Sequence, residues 1–287
     1  MSAPLSHYGN AGWLAVLLAA GAMLPLTMLF PEGWRNMGRV VSLIQAVWIS
    51  VVLAELIRTS GACWPGGKGE WVVPLTLLAA SGLAGTGEKA ARICATLFWL
   101  LAALYLPILF GAAAQLEPEW LEASAQEWNA ELLVTLLLPG LSGSWLSNQK
   151  GKLSVVVGLG VFAVVVAALI QAVLSVKVGM QVRDPLYEVG RTLRMGGISR
   201  FEPLVSVAKT LGWYGLCSYL IRSGTSLAGK CAIPEKWAGW GIVAVSAGVI
   251  LFTSGVDGRV LIGGCVALWI LAPMVCEKRS QKTRKSA

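Results

Sequence analysis

Charge is scarce in this chain: 13% of its 287 residues are Asp, Glu, Lys or Arg, against about 25% in ordinary soluble domains. No polar stretch reaches the roughly 50 residues that a soluble domain needs, so a globular domain beside the apolar segments is excluded. Histidine occurs once, at His7, which leaves a serine or cysteine nucleophile elsewhere without a histidine base. The six cysteines (Cys63, Cys94, Cys217, Cys231, Cys265, Cys276) form no CxxC pair and no metal-ligand spacing. They are expected to be small packing residues and free thiols, with neither a metal nor a cofactor. No basic region precedes the first apolar run, near Ala11, and that run is too long for a signal peptide, so it is expected to stay in the mature chain. The net charge is +8, but five basic residues (Lys278, Arg279, Lys282, Arg284, Lys285) sit in the last ten. A basic face interleaved with aromatics on a soluble fold is missing, which argues against nucleic-acid binding.

What fills the chain is apolar. Hydrophobic residues make up 56% of it, with thirteen tryptophans, and the mean hydropathy is +0.68. This composition defines an all-α integral membrane protein in contact with the lipid bilayer. A hydrocarbon core about 30 Å thick needs about 20 apolar residues in a helix. That rule finds nine segments, at 11–30, 39–57, 71–86, 92–114, 129–146, 153–179, 203–222, 237–254 and 259–276. Together they make one polytopic domain, 1–277, followed by the basic tail, 278–287. The segment at 71–86 is short. The one at 129–146 is interrupted by "LPGLSGS", where Pro139 removes a backbone donor. That segment either leaves the membrane at Pro139 or is a discontinuous helix that lines a site.

Orientation follows from the basic residues between the segments. With the N-terminus outside, the inside connections and tail hold fourteen: Arg35, Arg39, Lys89, Arg92, Lys150, Lys152, Arg222, Lys230, Lys236 and the five of the tail. The outside connections hold eight: Arg58, Lys68, Lys177, Arg183, Arg191, Arg194, Arg200 and Arg259. The imbalance predicts an outside N-terminus and a cytoplasmic C-terminus. Trp64, Trp71, Trp120, Trp128, Trp237 and Trp240 fall at segment ends, as an interfacial belt requires.

One outside connection is unusually polar: "DPLYEVGRTLRMGGISRFEP", residues 184–203. Asp184 followed by Pro185 reads as a helix start. Leu186, Val189 and Leu193 share one face, and Glu188, Arg191 and Thr192 another. Met195, Gly196 and Gly197 are expected to end this helix, and the Ser199 to Glu202 spacing to cap the next membrane segment. The stretch is predicted to be a short amphipathic helix at the outer surface, joined by a glycine hinge to a membrane helix.

The longer run "DPLYEVGRTLRMGGISRFEPLVSVAKTLGWYG" resembles a segment of spore germination permeases, the B subunits of nutrient germinant receptors. In that family an amphipathic Pro-Leu stretch leads to a glycine hinge and an acidic helix start. "WNAELLVTLLLPGLS" resembles the family's sixth helix, and "NAGWLAVLLAA" the start of its second. The resemblance is ordered as in the family and covers most of the chain from about Asn10. It implies a leucine-transporter-type inverted repeat whose first and sixth helices are broken around the ligand, a place in a bacterial cell membrane or inner spore membrane, and partnership with other germinant receptor subunits. Carried over by residue, Glu131, Pro139 and Gly140 fit the sixth-helix pattern, Pro185 and Leu186 the amphipathic helix, and Gly196, Gly197 and Glu202 the hinge. Two departures stand out. Residues 1–9, "MSAPLSHYG", supply no first membrane helix, and Lys209 stands where an apolar or aromatic residue is expected.

The candidate ligand-binding residues are therefore Glu131, Thr135, Pro139, Gly140 and Lys209. Glu131 either holds an amino group or a proton, or simply sits at the interface. Lys209 either snorkels outward or pairs with a carboxylate such as Glu131. "GLSGS", residues 140–144, resembles the serine motif of rhomboid-type proteases, but without a histidine base the chain is expected not to be an enzyme. The expected function is sensing or binding of an amino acid or similar small nutrient within a germinant receptor. The alternatives are a small-solute transporter and a non-transporting structural partner.

Overall fold

The computed structural model describes residues 12–29, 38–62, 72–85, 89–121, 152–181, 185–195, 198–272 and 275–276. Its helices are α1 (Gly12–Leu29), α2 (Arg39–Ala62), α3 (Val72–Gly85), α4 (Lys89–Ala113), α5 (Lys152–Gln181), α6 (Pro185–Thr192), α7 (Glu202–Gly229), α8 (Glu235–Phe252) and α9 (Gly258–Val266). A 3-10 turn, Pro118–Leu121, follows α4, and α9 runs on into a π-helical turn, Ala267–Leu271. A two-residue hairpin, β1 (Arg194–Met195) with β2 (Ile198–Ser199), separates α6 from α7.

The protein is mostly helical. Eight of the nine apolar segments expected from the sequence are helices; the ninth, 129–146, lies outside the described residues. Among the described residues three helices are long and apolar enough to cross a membrane: α2 over Arg39–Arg58, α7 and α8. Two helices overrun their expected ends. In α2 the helix continues past residue 57 because Glu55 and Arg58 find polar partners at its end. In α7 it continues past residue 222 because Leu227 and Ala228 are buried and Thr225 turns its hydroxyl onto the Arg222 carbonyl, 2.8 Å away.

By internal packing the chain falls into two units, Met1–Pro31 with Ala102–Ala208, and Glu32–Leu101 with Lys209–Ala287. In the first unit, α1 lies against α5 through small residues. A Cβ added at Gly160 would stand 3.1 Å from the Ala20 Cβ, and Ala15 and Ala19 are buried one turn apart. Small residues let helix backbones approach closely where no hydrophobic drive between helices is available. A core of Ile108, Ala112, Val166, Ile170, Leu174, Val189, Leu193, Phe201 and Val205 joins α4, α5, α6 and the start of α7. The 3-10 turn is pinned onto this unit by three bonds: Trp13 Nε1 to the Leu121 carbonyl (3.3 Å), Gln171 Nε2 to the Trp120 carbonyl (3.0 Å) and the Glu117 N–H to the Ala172 carbonyl (3.2 Å).

In the second unit, the contacts of α2 give the helix directions. Along α2 from Gln45 to Trp48 to Glu55, the partners fall back from Leu268 to Cys265 to Val256, so α9 runs antiparallel to α2. Ser50 meets Ser246, and Arg58 meets Val249 to Thr253, so α8 runs parallel to α2. Glycines in this unit mark close crossings. A Cβ at Gly85 would stand 2.9 Å from the Ser218 carbonyl oxygen, and one at Gly264 would enter the Trp48 ring.

Candidate functional site

The polar stretch at 184–203 folds, within the first unit, into the α6–hairpin–α7 element. Pro185 opens α6, where a missing N–H costs nothing, and its buried face is Pro185, Val189 and Gly190. Leu186 is half-buried against the same core, and Glu188 turns toward Arg191 at 3.7 Å on the open side. Arg191 is 64% exposed, so this pair adds little to stability. Gly190 is required by packing. A Cβ there would stand 2.7 Å from the Val205 Cγ2 and 3.3 Å from the Glu202 backbone, while its carbonyl accepts the Phe201 N–H at 2.7 Å.

The helix ends earlier than the sequence suggested. It stops at Thr192, whose hydroxyl donates to the Val189 carbonyl (3.0 Å). Leu193 then drops fully into the core, and Arg194–Met195 turn back to pair with Ile198–Ser199. The glycines expected to form the hinge, Gly196 and Gly197, lie outside the described residues. Arg200, with φ +79°, makes the left-handed turn that leads into α7, and Gln115 Nε2 donates to the Arg194 carbonyl at 3.4 Å. Glu202 begins α7; its Oε2 is enclosed without a hydrogen-bond partner among the described residues, and the positive end of the helix dipole faces it.

Of the candidate ligand-binding residues, Glu131, Thr135, Pro139 and Gly140 lie outside the described residues. Lys209 is half-buried on α7, at the start of the second unit's later segment.

The sequence reading passed over a second polar array, along α2 in the second unit. Gln45 Nε2 donates to the Leu268 carbonyl at 2.5 Å, within the π-helical turn. Trp48 Nε1 donates to the Cys265 sulfur at 3.3 Å. The buried Ser246 hydroxyl lies 2.9 Å from the Ser50 carbonyl and 2.8 Å from that of Ile242. At the end of α2, Arg58 pairs with Glu55 and reaches the terminal acceptors of α8. Its Nη2 faces the carbonyls of Val249 (3.2 Å), Ile250 (3.3 Å) and Thr253 (2.8 Å) and the Thr253 hydroxyl (3.2 Å). Glu55 Oε1 also accepts the Val256 N–H at 2.9 Å. A cation is thus held at the negative end of one helix dipole, and a carboxylate ties down the link to the next helix. The only sequence signal was an acid and a base three residues apart at the end of an apolar run.

Among the described residues no three His, Cys, Asp or Glu side chains gather to hold a metal ion. Compared with known proteins, the chain matches no family model, and no curated protein matches it.

Proposed function

We propose that this chain is a membrane-embedded subunit of the germinant-receptor permease type, which senses or binds an amino acid or a similarly small nutrient. The observation that carries the reading is the α6–hairpin–α7 element. The stretch with the most specific resemblance folds as a short amphipathic helix, locked by Gly190 onto the start of a long apolar helix. Such an element can pass a change at the outer surface to a membrane helix without exposing the core. The antiparallel and parallel partners of α2 agree with a chain that crosses the bilayer repeatedly, and the proposed orientation puts the N-terminus outside and the C-terminus in the cytoplasm.

In this reading the chain senses its ligand or assembles with other receptor subunits rather than carrying out coupled transport. The test pairs uptake of labelled amino acids, sugars and nucleosides into proteoliposomes with germination of spores lacking this chain. Loss of a nutrient response without gradient-driven uptake is the expected result. Robust uptake would establish a transporter instead, and normal germination would remove the receptor role.

A further inference from the structure

Two oxygens on α2, in the second unit, lack the partners that their surroundings demand. Ser42 and Gln45 are both 0% exposed, one turn apart on α2. The Ser42 Oγ and the Gln45 Oε1 have no hydrogen-bond partner among the described residues. Farther along the same helix the buried and half-buried polar groups are satisfied: Trp48 by Cys265, the Ser50 hydroxyl by the Ala46 carbonyl at 3.3 Å, and Glu55 by Arg58 and Val256. Buried polar groups left open in an otherwise satisfied array call for a partner that the polypeptide does not supply.

The direction of the Gln45 amide is fixed by chemistry. Its Nε2 donates to the Leu268 carbonyl; turning the amide over would set two acceptor oxygens against each other. Oε1 is therefore an acceptor that faces away from Leu268. The partner carbonyl belongs to a π-helical turn, Ala267–Leu271, where the usual i to i+4 pattern is interrupted. Such turns inside α-helices are frequent at functional sites. Side chains three apart on a helix stand about 5–6 Å apart at Cβ, close enough for one small group to reach both oxygens.

We infer that Ser42 and Gln45, beside the π-helical turn, form a binding site for a small hydrogen-bond donor. The required chemistry is an N–H or O–H group that can serve two acceptors at once. An ammonium group and an ordered water molecule both meet it. The site is independent of the α6–hairpin–α7 element and of the function proposed above.

The experiment uses the full chain purified in detergent, with thermal unfolding followed by tryptophan fluorescence. Wild type and Ser42→Ala are each titrated with ammonium, methylammonium, tetramethylammonium and sodium chlorides. Saturable stabilisation by ammonium and methylammonium, absent with the other two salts and weakened in Ser42→Ala, identifies an ammonium-type ligand. A lower melting temperature for Ser42→Ala, with no salt-specific effect on either protein, identifies bound water, because the hydroxyl then had a partner to lose. The inference is overturned if Ser42→Ala melts at the same or a higher temperature and no salt discriminates. It is equally overturned if sodium or tetramethylammonium stabilises as well as ammonium. The wild-type titration stands even if the variant fails to fold.

Discussion

Replacing Arg58 with methionine keeps much of the aliphatic stem and removes the guanidinium that joins α2 to the end of α8. Hydrogen bonds to charged groups contribute about 1.5–3 kcal/mol each in favourable cases, but those of Arg58 share one Nη2 and are stretched toward two of the carbonyls. The ion pair is partly wet, with side-chain exposures of 21% for Arg58 and 17% for Glu55, so on its own it adds at most about 1 kcal/mol. A cation at a partly buried helix C-terminus adds up to about 2 kcal/mol. These overlapping contributions put the loss for Arg58→Met at about 2–3 kcal/mol. Glu55→Gln keeps an acceptor for the Val256 N–H and should cost about 1 kcal/mol. Because both residues act in one network, the double variant should lose less than the two single losses combined, with a coupling of about 1 kcal/mol. The assay is reversible unfolding in mixed detergent micelles for all four proteins. Strict additivity, or a change for Arg58→Met within about 0.5 kcal/mol of zero, would refute the idea that this cluster fastens α8 and its link to α9.

Three further outcomes are expected. Gly190→Ala should destabilise by about 1–3 kcal/mol, since the new methyl meets Val205 and the Glu202 backbone, whereas Gly158→Ala, with nothing within 4 Å, should be neutral or up to about 1 kcal/mol stabilising in the same melts. Gly264→Ala should shift the tryptophan emission and lower stability more than Gly190→Ala, because its methyl lands in the Trp48 ring rather than beside a movable side-chain tip. Single-cysteine tags at the two ends of a cysteine-free variant should react with an impermeant maleimide in intact cells at the N-terminus only; labelling of both or neither would break the proposed orientation.

The helices were legible because a membrane-length apolar run needs only local composition to be seen. Eight of the expected segments are helical, although α2 and α7 run well past their expected ends. The short helix at Pro185 was legible for a similar reason, its start signal and its apolar face both lying within ten residues of sequence. Contacts that depend on register between distant segments were not. Nothing at Gly190 distinguishes it among the 33 glycines of the chain until Val205 is set against it. The reading favoured Gly196 and Gly197, which a turn signal marks, over a glycine whose reason is a neighbouring helix. Glu55 and Gln45 were passed over likewise, because their partners are main-chain groups about 200 residues away, and main-chain groups leave no trace in a sequence pattern.

Arg58 shows how the two kinds of information correct each other. Counting basic residues treats each cation near a helix end as equally free, and on that count Arg58 weighs against the proposed orientation. In the folded chain its charge is met by the Glu55 carboxylate and by the carbonyl end of α8, so it is part of the packing of the second unit. Most of the other residues that weigh against the orientation fall close together, Arg183, Arg191, Arg194 and Arg200 lying in or beside the stretch that forms α6 and the hairpin. There the turn of the helix puts Arg191 on the open face, opposite Val189 and Leu193 in the core. An amphipathic element can hold such cations on its polar side at a membrane surface. Five of the eight exceptions to the charge rule thus fall in or beside two local structures, one a packed ion pair at a helix end and the other a short amphipathic element.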